Sequence, residues 1–541
     1  MYTTCIGLIK DGLFCRKINI ELDLSRGIFS FLIVGLADKC IGESKERIIS
    51  AIKNSGFGSI KTENHKVTVS LAPAGIKKEG VLLDLPIAVS YLMATQKIYS
   101  DKIQQCVFVG ELGLDGSIKN NDFIAPIIKC IIDTNKNTQN SALTKIFGKF
   151  KSDDIFLIEN TLKQSGIEII NVNNLKETVV AINKGGNIDG TTKKDTGAEL
   201  LHGDYNLPQR CLKTINVKKD GPYIIDKIIG LEKAKRAILI AVCGKYNLIF
   251  AGPPGVGKTM LSKCTHELLP TPTESELLDL LIINSSTKRP FRSPHHTSSY
   301  SSIIGGGNPI SPGEITLANH GILFLDELPE FNKTILESLR QPLEEKSIQI
   351  NRSGEIINFP CNSMCIGAMN LCPCGNKGIP NKNCVCNYLY RNKYIQKISQ
   401  PLLERFHIII NLSLQGNVNN IQLTTYDYFT KIISRYEYYT KNNGITKDIK
   451  WNSDALQELE NRCVKLFYST RVKIQIKNIS ETISIIKNIE KELARGEVGV
   501  YDKEYAKEKD KLIISQNKKI INPTITIDDV IEAFSYRENL N

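Results

Sequence analysis

Residues 252 to 259 read Gly252-Pro253-Pro254-Gly255-Val256-Gly257-Lys258-Thr259, a G-x-x-x-x-G-K-T loop. Such a loop binds the phosphates of a nucleotide. Its glycines let backbone N–H groups approach the phosphate oxygens, and a following helix N-terminus adds a favourable dipole. Lys258 supplies a point charge for the β- and γ-phosphates, and the Thr259 hydroxyl is a Mg²⁺ ligand. A second group follows at "GILFLDELPEF", where Asp326 and Glu327 leave an apolar run. Asp326 is expected to hold Mg²⁺ through water, and Glu327 to orient and polarise the attacking water. Asn370 ends the next apolar run, "SMCIGAMN", where a carboxamide can hold that water near the γ-phosphate. Arg405 in "QPLLERF" and Arg471 in "YSTRV" follow in chain order as cations that could reach a nucleotide, Arg405 that of a neighbouring subunit.

A different chemistry is suggested by Cys372, Cys374, Cys384 and Cys386. Two close cysteine pairs flank a Gly-, Asn- and Lys-rich stretch, as in a tetrahedral Zn²⁺ site whose four positions are all filled by protein. The reading is a structural clip between Asn370 and Arg405; four reduced thiols in a loop is the alternative. The other cysteines have no motif spacing and read as buried thiols.

These residues need elements to hold them. "NLIFA", "GILFL" and "SMCIGAM" read as buried strands with their chemistry at the carboxyl ends, where ligands bind in a parallel α/β sheet. "MLSKCTHELL" is compatible with a helix after the loop. Upstream, "HKVTVSLAP", "QQCVFVGEL" and "DDIFLIEN" read as strands and "IGESKERIISAIKNSG" as a helix, giving an α/β domain. The polar stretch 183–204 reads as a linker. The end of the chain reads as helical. Leu456, Leu459, Cys463 and Leu466 recur at helical spacing, and Thr526 with Asp529 resembles a capping box. "KNIEKELARGEVGVYDKEYAKEKDKL" reads as a solvated helical hairpin or loop.

At 541 residues the chain is too long for one core. It has 41% apolar and 23% charged residues, and no apolar run reaches the roughly 18 residues that span a bilayer. The first residues show no basic start followed by an apolar stretch, so a cytoplasmic protein without a membrane partner is expected. The net charge of +12 favours an anionic partner such as nucleic acid, although basic residues are spread along the whole chain. "KRPFRSPHHTSSY" reads as a basic loop, with Lys288, Arg289, Arg292, His295 and His296. Arg289 and Arg292, with Arg352 in "SIQINRSGEIINFP", are the candidate DNA contacts. Arginines on loops suit phosphates rather than base edges, so binding would be sequence-independent.

Taken together, "IVGLADKCIGESKERIISAIKNSGF", "LAPAGIKKEGVLLDLPIAV", "FVGELGLDGSI", "NLIFAGPPGVGKTML", "RPFRSPHHTSSYSSIIGGG", "PGEITLANHGILFLDELPEF" and "NLCPCGN" resemble the magnesium-chelatase-like branch of the AAA+ ATPases, and more closely the ComM/YifB family. The resemblance implies an α/β protein in four parts. Residues 1–182 would form a Lon-protease-like domain without proteolysis and 183–215 a linker. Residues 216–412 would form an AAA+ core with a parallel sheet, and 413–541 a C-terminal helical lid. It implies ATP and Mg²⁺ as cofactors, a hexameric ring, and DNA, single-stranded or branched, as partner. The activity implied is an ATP-driven helicase promoting branch migration. Walker A carries over to Gly252 through Thr259, Walker B to Asp326 and Glu327, and sensor 1 to Asn370. The arginine finger carries over to Arg405 and sensor 2 to Arg471. Asn351 to Gly354 would form the turn of a hairpin before sensor 1.

Three departures stand out. His407 follows Phe406 where the family has a carboxylate, the region around Arg471 has drifted, and the stretch before "RPFRSPHH" is short. A chelatase-type ATPase subunit and a degenerate ATP-binding scaffold are the competing readings. A Lon-type protease is disfavoured because "KKEGVLLD" contains no serine.

Overall fold

The structure is a computed structural model. It describes residues 1–35, 39–62, 64–73, 82–100, 103–137, 142–184, 223–307, 310–352, 355–380, 382–413, 425–443, 449–494, 523–538 and 540. The expected linker from residue 185 onward, the charged stretch beyond residue 494, the Ser353–Gly354 tip and "KKEGV" lie outside the described residues. The chain forms two compact units. One comprises Met1–Thr214 with Thr273–Thr287, the other Ile215–Pro272 with Lys288–Asn541.

The first unit is built on a seven-stranded mixed sheet. Its strands are β1 (Tyr2–Asp11), β2 (Phe14–Arg26), β3 (Ser30–Val34), β4 (His65–Ala72), β5 (Cys106–Phe108), β6 (Lys145–Gly148) and β7 (Glu168–Asn171), in the order β3-β4-β2-β1-β5-β6-β7. Helices α1 (Lys39–Asn54) and α2 (Asp84–Ala94) pack on it, with α3 (Ile124–Asn137), α4 (Ser152–Leu157), α5 (Glu159–Ser165) and α6 (Leu175–Asn183) further along the chain. "DDIFLIEN" is therefore helical rather than extended. It falls on α4 and the start of α5, with Ile158 as the junction between them, and Ile155 and Ile158 are buried. The long hairpin β1–β2 carries no signal that the sequence reading used; it is stabilised by cross-strand partners.

Residues 273–287 belong to this unit although they lie between two stretches of the other. They contain α10 (Glu274–Asn284), whose N-terminus is closed by a reciprocal Thr273–Glu276 capping box and whose Asp279 pairs with Lys129 of α3. The short stretch before "RPFRSPHH" is thus an excursion that serves another core.

In the second unit, β8 (Leu248–Ala251), β9 (Phe291–Arg292), β12 (Ile322–Leu325), β15 (Met364–Met369) and β16 (Ile408–Asn411) form a five-stranded sheet in the order β16-β8-β15-β12-β9, with every pair parallel. Strands β8, β12 and β15 are buried along their whole length, as their apolar runs predict. A small pair, β10 (Gly305–Gly306) and β11 (Ser311–Pro312), and a hairpin of β13 (Ser347–Arg352) and β14 (Glu355–Pro360) stand outside the sheet. The hairpin is tighter than expected: Asn351 pairs with Ile356 and Arg352 with Glu355.

Helices α7 (Ile224–Lys227), α8 (Glu232–Gly244) and α9 (Lys258–Glu267) flank the sheet's first strand in sequence. α11 (Tyr300–Ile304), α12 (Glu314–Leu317), α13 (Lys333–Ser338), α14 (Arg340–Glu345), α15 (Tyr388–Ile395) and α16 (Gln400–Leu403) are short connectors. The last part holds α17 (Tyr426–Asn443), α18 (Ser453–Lys465), α19 (Thr470–Ala494) and α20 (Ile527–Ser535). The described residues of 413–541 pack into the core of the sheet rather than into a separate one. Ile432, Ile476, Ile483 and Val530 share one apolar cluster with Ala237, Leu248 and Phe250. Ile409 N–H of β16 donates to Tyr536 O at 2.7 Å, so the chain's end extends the sheet. On α18 the buried face is Ala455, Leu459 and Cys463; Leu456 and Leu466 are exposed, one step off the face expected. Thr526 and Asp529 do form the capping box of α20. Among the scattered cysteines, Cys5, Cys106, Cys264, Cys361, Cys365 and Cys463 are buried, and burial pushes the Cys5 and Cys365 thiols up to about 12.

Candidate active site and cysteine cluster

The phosphate loop leaves β8 and enters α9. Its last glycine, Gly257, has φ of 95°, a left-handed turn that brings the backbone to the start of the helix. The Lys258 ammonium lies inside this turn. It donates to Gly252 O at 2.7 Å, Pro253 O at 3.1 Å and Asn370 Oδ1 at 2.9 Å. Burial lowers its pKa, offset by the nearby charges of Asp326 and Glu327. Three residues expected at one nucleotide, Lys258, Asp326 and Asn370, therefore meet above adjacent strands. The parallel register sets this up by aligning Ala251 of β8 with Met369 of β15, one residue before Asn370.

Thr259 Oγ1 and Asp326 Oδ2 face each other at 3.4 Å, and both residues reach the surface. A hydroxyl beside a carboxylate is an oxygen donor set suited to Mg²⁺. Asp326 Oδ1 accepts the N–H of Glu327 at 3.0 Å. Glu327 has φ of 54°, a left-handed conformation costly for a non-glycine residue, and its side chain is 56% exposed. Its carboxylate Oε2 lies 3.1 Å from His296 Nδ1. The sequence reading treated His296 only as part of a basic loop. No local pattern links it to Glu327, because the pairing depends on β9 lying next to β12.

The arginines are held differently. Arg405 donates to Arg340 O at 2.7 Å, Pro401 O at 2.5 Å and Glu344 Oε2 at 2.7 Å, with its side chain 11% exposed. Arg471, at the start of α19, pairs with the other oxygen of Glu344. Glu344 was not singled out from the sequence; it gathers two arginines that are far apart along the chain. Arg289 donates to Pro270 O at 2.6 Å, His320 O at 2.6 Å and Thr271 O at 3.4 Å. Arg292 lies on β9, not in a loop, and holds both oxygens of Glu314 at 2.6 Å. The guanidinium groups of these two candidate DNA contacts join parts of their own chain, Arg289 through carbonyl oxygens and Arg292 through Glu314. Arg352 closes the β13–β14 ladder.

His407 is packed against Tyr246 with ring centroids 5.0 Å apart, and its Nδ1 accepts the Asn247 N–H at 3.3 Å. Burial, with Lys346 and Arg537 nearby, lowers its pKa to about 3. It is a neutral packing residue.

The four cysteines converge. Their sulfurs all lie within 4.8 Å of one another, with Cys372 and Cys374 at 3.4 Å and Cys374 and Cys384 at 3.6 Å. A tetrahedral site with metal–sulfur bonds of about 2.3 Å separates its sulfurs by about 3.8 Å, so the donors fit Zn²⁺. Lys377 N–H donates to Cys372 Sγ at 3.3 Å, and the Asn376 N–H lowers the Cys374 thiol to about 6. The donor on Cys374 favours its thiolate, the form that binds metal, while burial pushes the Cys372 thiol up to about 11.

Family models add an independent comparison. Residues 225–419 match the magnesium chelatase subunit ChlI family, and residues 20–141 match a second family described as the ChlI subunit of Mg-chelatase. Competence protein ComM of Haemophilus influenzae is 32% identical over 503 residues, covering 87% of this chain and 91% of ComM. The chain belongs to the ComM/YifB family of magnesium-chelatase-like AAA+ ATPases. Protein YifB of Escherichia coli is 31% identical over 415 residues, 74% of each chain. DNA replication licensing factor Mcm2 of Drosophila melanogaster is 22% identical over 237 residues, 38% of this chain and 23% of Mcm2. No described helix of this family member is long and apolar enough to cross a membrane.

Proposed function

We propose that the protein is a cytoplasmic, ATP-hydrolysing DNA motor that works as a hexameric ring, a helicase promoting branch migration during recombination of incoming DNA. The observation that carries the reading is the meeting of Lys258 with Asn370 beside the Thr259–Asp326 pair, at the carboxyl ends of neighbouring parallel strands. In this reading Lys258 and the loop backbone bind the ATP phosphates. Thr259 and Asp326 hold Mg²⁺, which neutralises phosphate charge. Glu327 takes the water's proton and Asn370 orients the water. His296 holds the Glu327 carboxylate between turnovers. Arg405 acts as the arginine finger toward a neighbouring subunit and Arg471 as sensor 2, each after leaving Glu344. Residues 1–182 serve as a Lon-like domain without proteolysis, and the helices after β16 as the lid.

DNA engagement falls to the β13–β14 hairpin with Arg352 near its tip, since Arg289 and Arg292 are committed elsewhere. The names of two similar proteins, a competence protein and a replication licensing factor, support a DNA substrate. The cysteine cluster holds a structural Zn²⁺. A second reading, an ATPase subunit of the magnesium chelatase type, is favoured by the family match over residues 225–419. The deciding experiment is ATPase activity of purified protein with and without single-stranded or branched DNA at low salt. Stimulation that fades steeply as salt rises supports the motor. An identical rate without DNA, together with no DNA binding, supports the chelatase-type reading.

A further inference from the structure

The chain leaves Asn370 and returns to α15, and the described residues of 371–387 form no regular strand or helix. The order of this stretch rests on turns and on the four sulfurs. It also lies against the phosphate loop. Gly375 and Gly378 both have left-handed backbones, φ 74° and 91°. A Cβ placed on Gly375 would sit 3.4 Å from Pro254 Cγ, and one on Gly378 would sit 3.5 Å from Pro253 Cδ. Both glycines are therefore where the cysteine loop's main chain meets the two prolines of the phosphate loop.

Pro253 is connected twice. Its ring faces Gly378, and its carbonyl accepts the Lys258 ammonium at 3.1 Å. The same ammonium bonds Asn370, two residues before the first cysteine. The loop is thus tied to the phosphate site at both of these points, and its own shape depends on the sulfurs converging.

We propose that the four-cysteine site is a Zn²⁺ clip on the phosphate loop, so that metal occupancy sets the affinity for ATP. This rests on the reading that the cluster binds zinc and goes beyond it. With the metal in place, the Gly375–Gly378 turn is fixed and props Pro253 and Pro254, which keeps the Lys258 ammonium and the loop N–H groups facing one point. Without it, the turn loses its fixed partners and the prolines lose their support. No bond is made or broken except zinc–thiolate coordination, with protons released from the thiols on loading.

Coupling between two sites is reciprocal: the factor by which zinc tightens ATP is the factor by which ATP tightens zinc. Full-length protein purified without chelator should hold about one zinc per chain by elemental analysis. Stripping under reducing conditions, followed by buffer exchange and restored Mg²⁺, should weaken binding of a fluorescent ATP analogue by about tenfold. Readdition of Zn²⁺ should restore it, and ATP should slow zinc loss to a chromogenic chelator.

If no zinc is present and none binds on addition, the zinc reading fails and the inference with it. If zinc is bound but its removal leaves ATP affinity unchanged, the zinc reading stands and the coupling is overturned. Because Cys384→Ser could simply unfold the loop, Pro253→Ala supplies a second arm: all four sulfurs and the left-handed Gly378 remain, but the ring that faces Gly378 is gone. It should keep its zinc, and its ATP affinity should no longer respond to zinc removal. A Pro253→Ala protein whose ATP affinity still falls about tenfold on zinc removal overturns the proposal.

Discussion

Asp84 at the start of α2 and Asp326 after β12 are carboxylates placed where one element gives way to another, and the two units use them in opposite ways. Asp84 is 0% exposed. Its Oδ2 accepts from Arg47 Nε at 2.8 Å and from Leu112 N–H at 3.3 Å, and its Oδ1 from Arg47 Nη2 at 3.3 Å. Burial raises its pKa, and the Arg47 and Ser44 contacts oppose that rise. Asp326 instead spends one oxygen on the next residue's N–H and leaves the other beside Thr259 at the surface. A carboxylate with every lone pair answered from within joins helix to loop; one left partly unanswered toward solvent can bind a cation. The comparison separates architecture from chemistry without reference to residue type.

The largest effects should come from the open side. Lys258→Ala removes the one ammonium in the phosphate loop. A charge-assisted contact contributes about 3 kcal/mol, so ATP affinity should fall roughly 100-fold while the thermal midpoint changes little. Titration with a fluorescent ATP analogue checks this, and unchanged affinity would break the assignment of the open site. Glu327→Gln should still bind ATP but hydrolyse it about 10²- to 10⁴-fold more slowly. A single-turnover assay reads it, and normal turnover would remove Glu327 as the water-activating residue.

The closed side predicts the reverse pattern. Asp84→Ala leaves a partly buried guanidinium and the Leu112 N–H without their partner and should cost about 2 kcal/mol of stability. ATP affinity measured below the unfolding transition should stay at the wild-type value. A variant that lost ATP binding while keeping wild-type stability would erase the distinction drawn here.

The smallest effect concerns pH. The His407 ring stays neutral in the folded protein down to about 3. In the unfolded chain it takes up a proton near about 6.5. Between these values the unfolded state binds more protons, so stability rises with pH across that window and falls on acidification. His407→Asn should flatten this limb of a chemical-denaturation series, and a limb of unchanged slope would show that the ring is solvated in the folded state.

Much of the nucleotide site was legible in advance because its signals are local. The G-x-x-x-x-G-K-T spacing needs only a strand before it and a helix after it, and apolar runs ending in Asp326 or Asn370 mark buried parallel strands by themselves. The four cysteines were legible for the same reason, lying within one loop. What was missed is non-local. "DDIFLIEN" could be extended or helical until the positions of its neighbours decide which side chains are buried. Arg289 and Arg292 look free in a basic stretch, yet one satisfies carbonyls that no strand satisfies and the other pairs with Glu314 across β9. Residues 273–287 stand out in the sequence only as part of a short stretch before "RPFRSPHH", but α10 finds its ion pair on α3.

By itself the sequence determined the types of groups at the phosphate site, the strands that end there and the sulfur cluster, because each depends on neighbours a few residues away. Only the tertiary structure decided which charges remain available. Glu344 takes both Arg405 and Arg471, His296 meets Glu327, and Pro253 meets Gly378. Each of these pairings joins residues brought together by strand order and packing, so none follows from neighbours a few residues away in the chain.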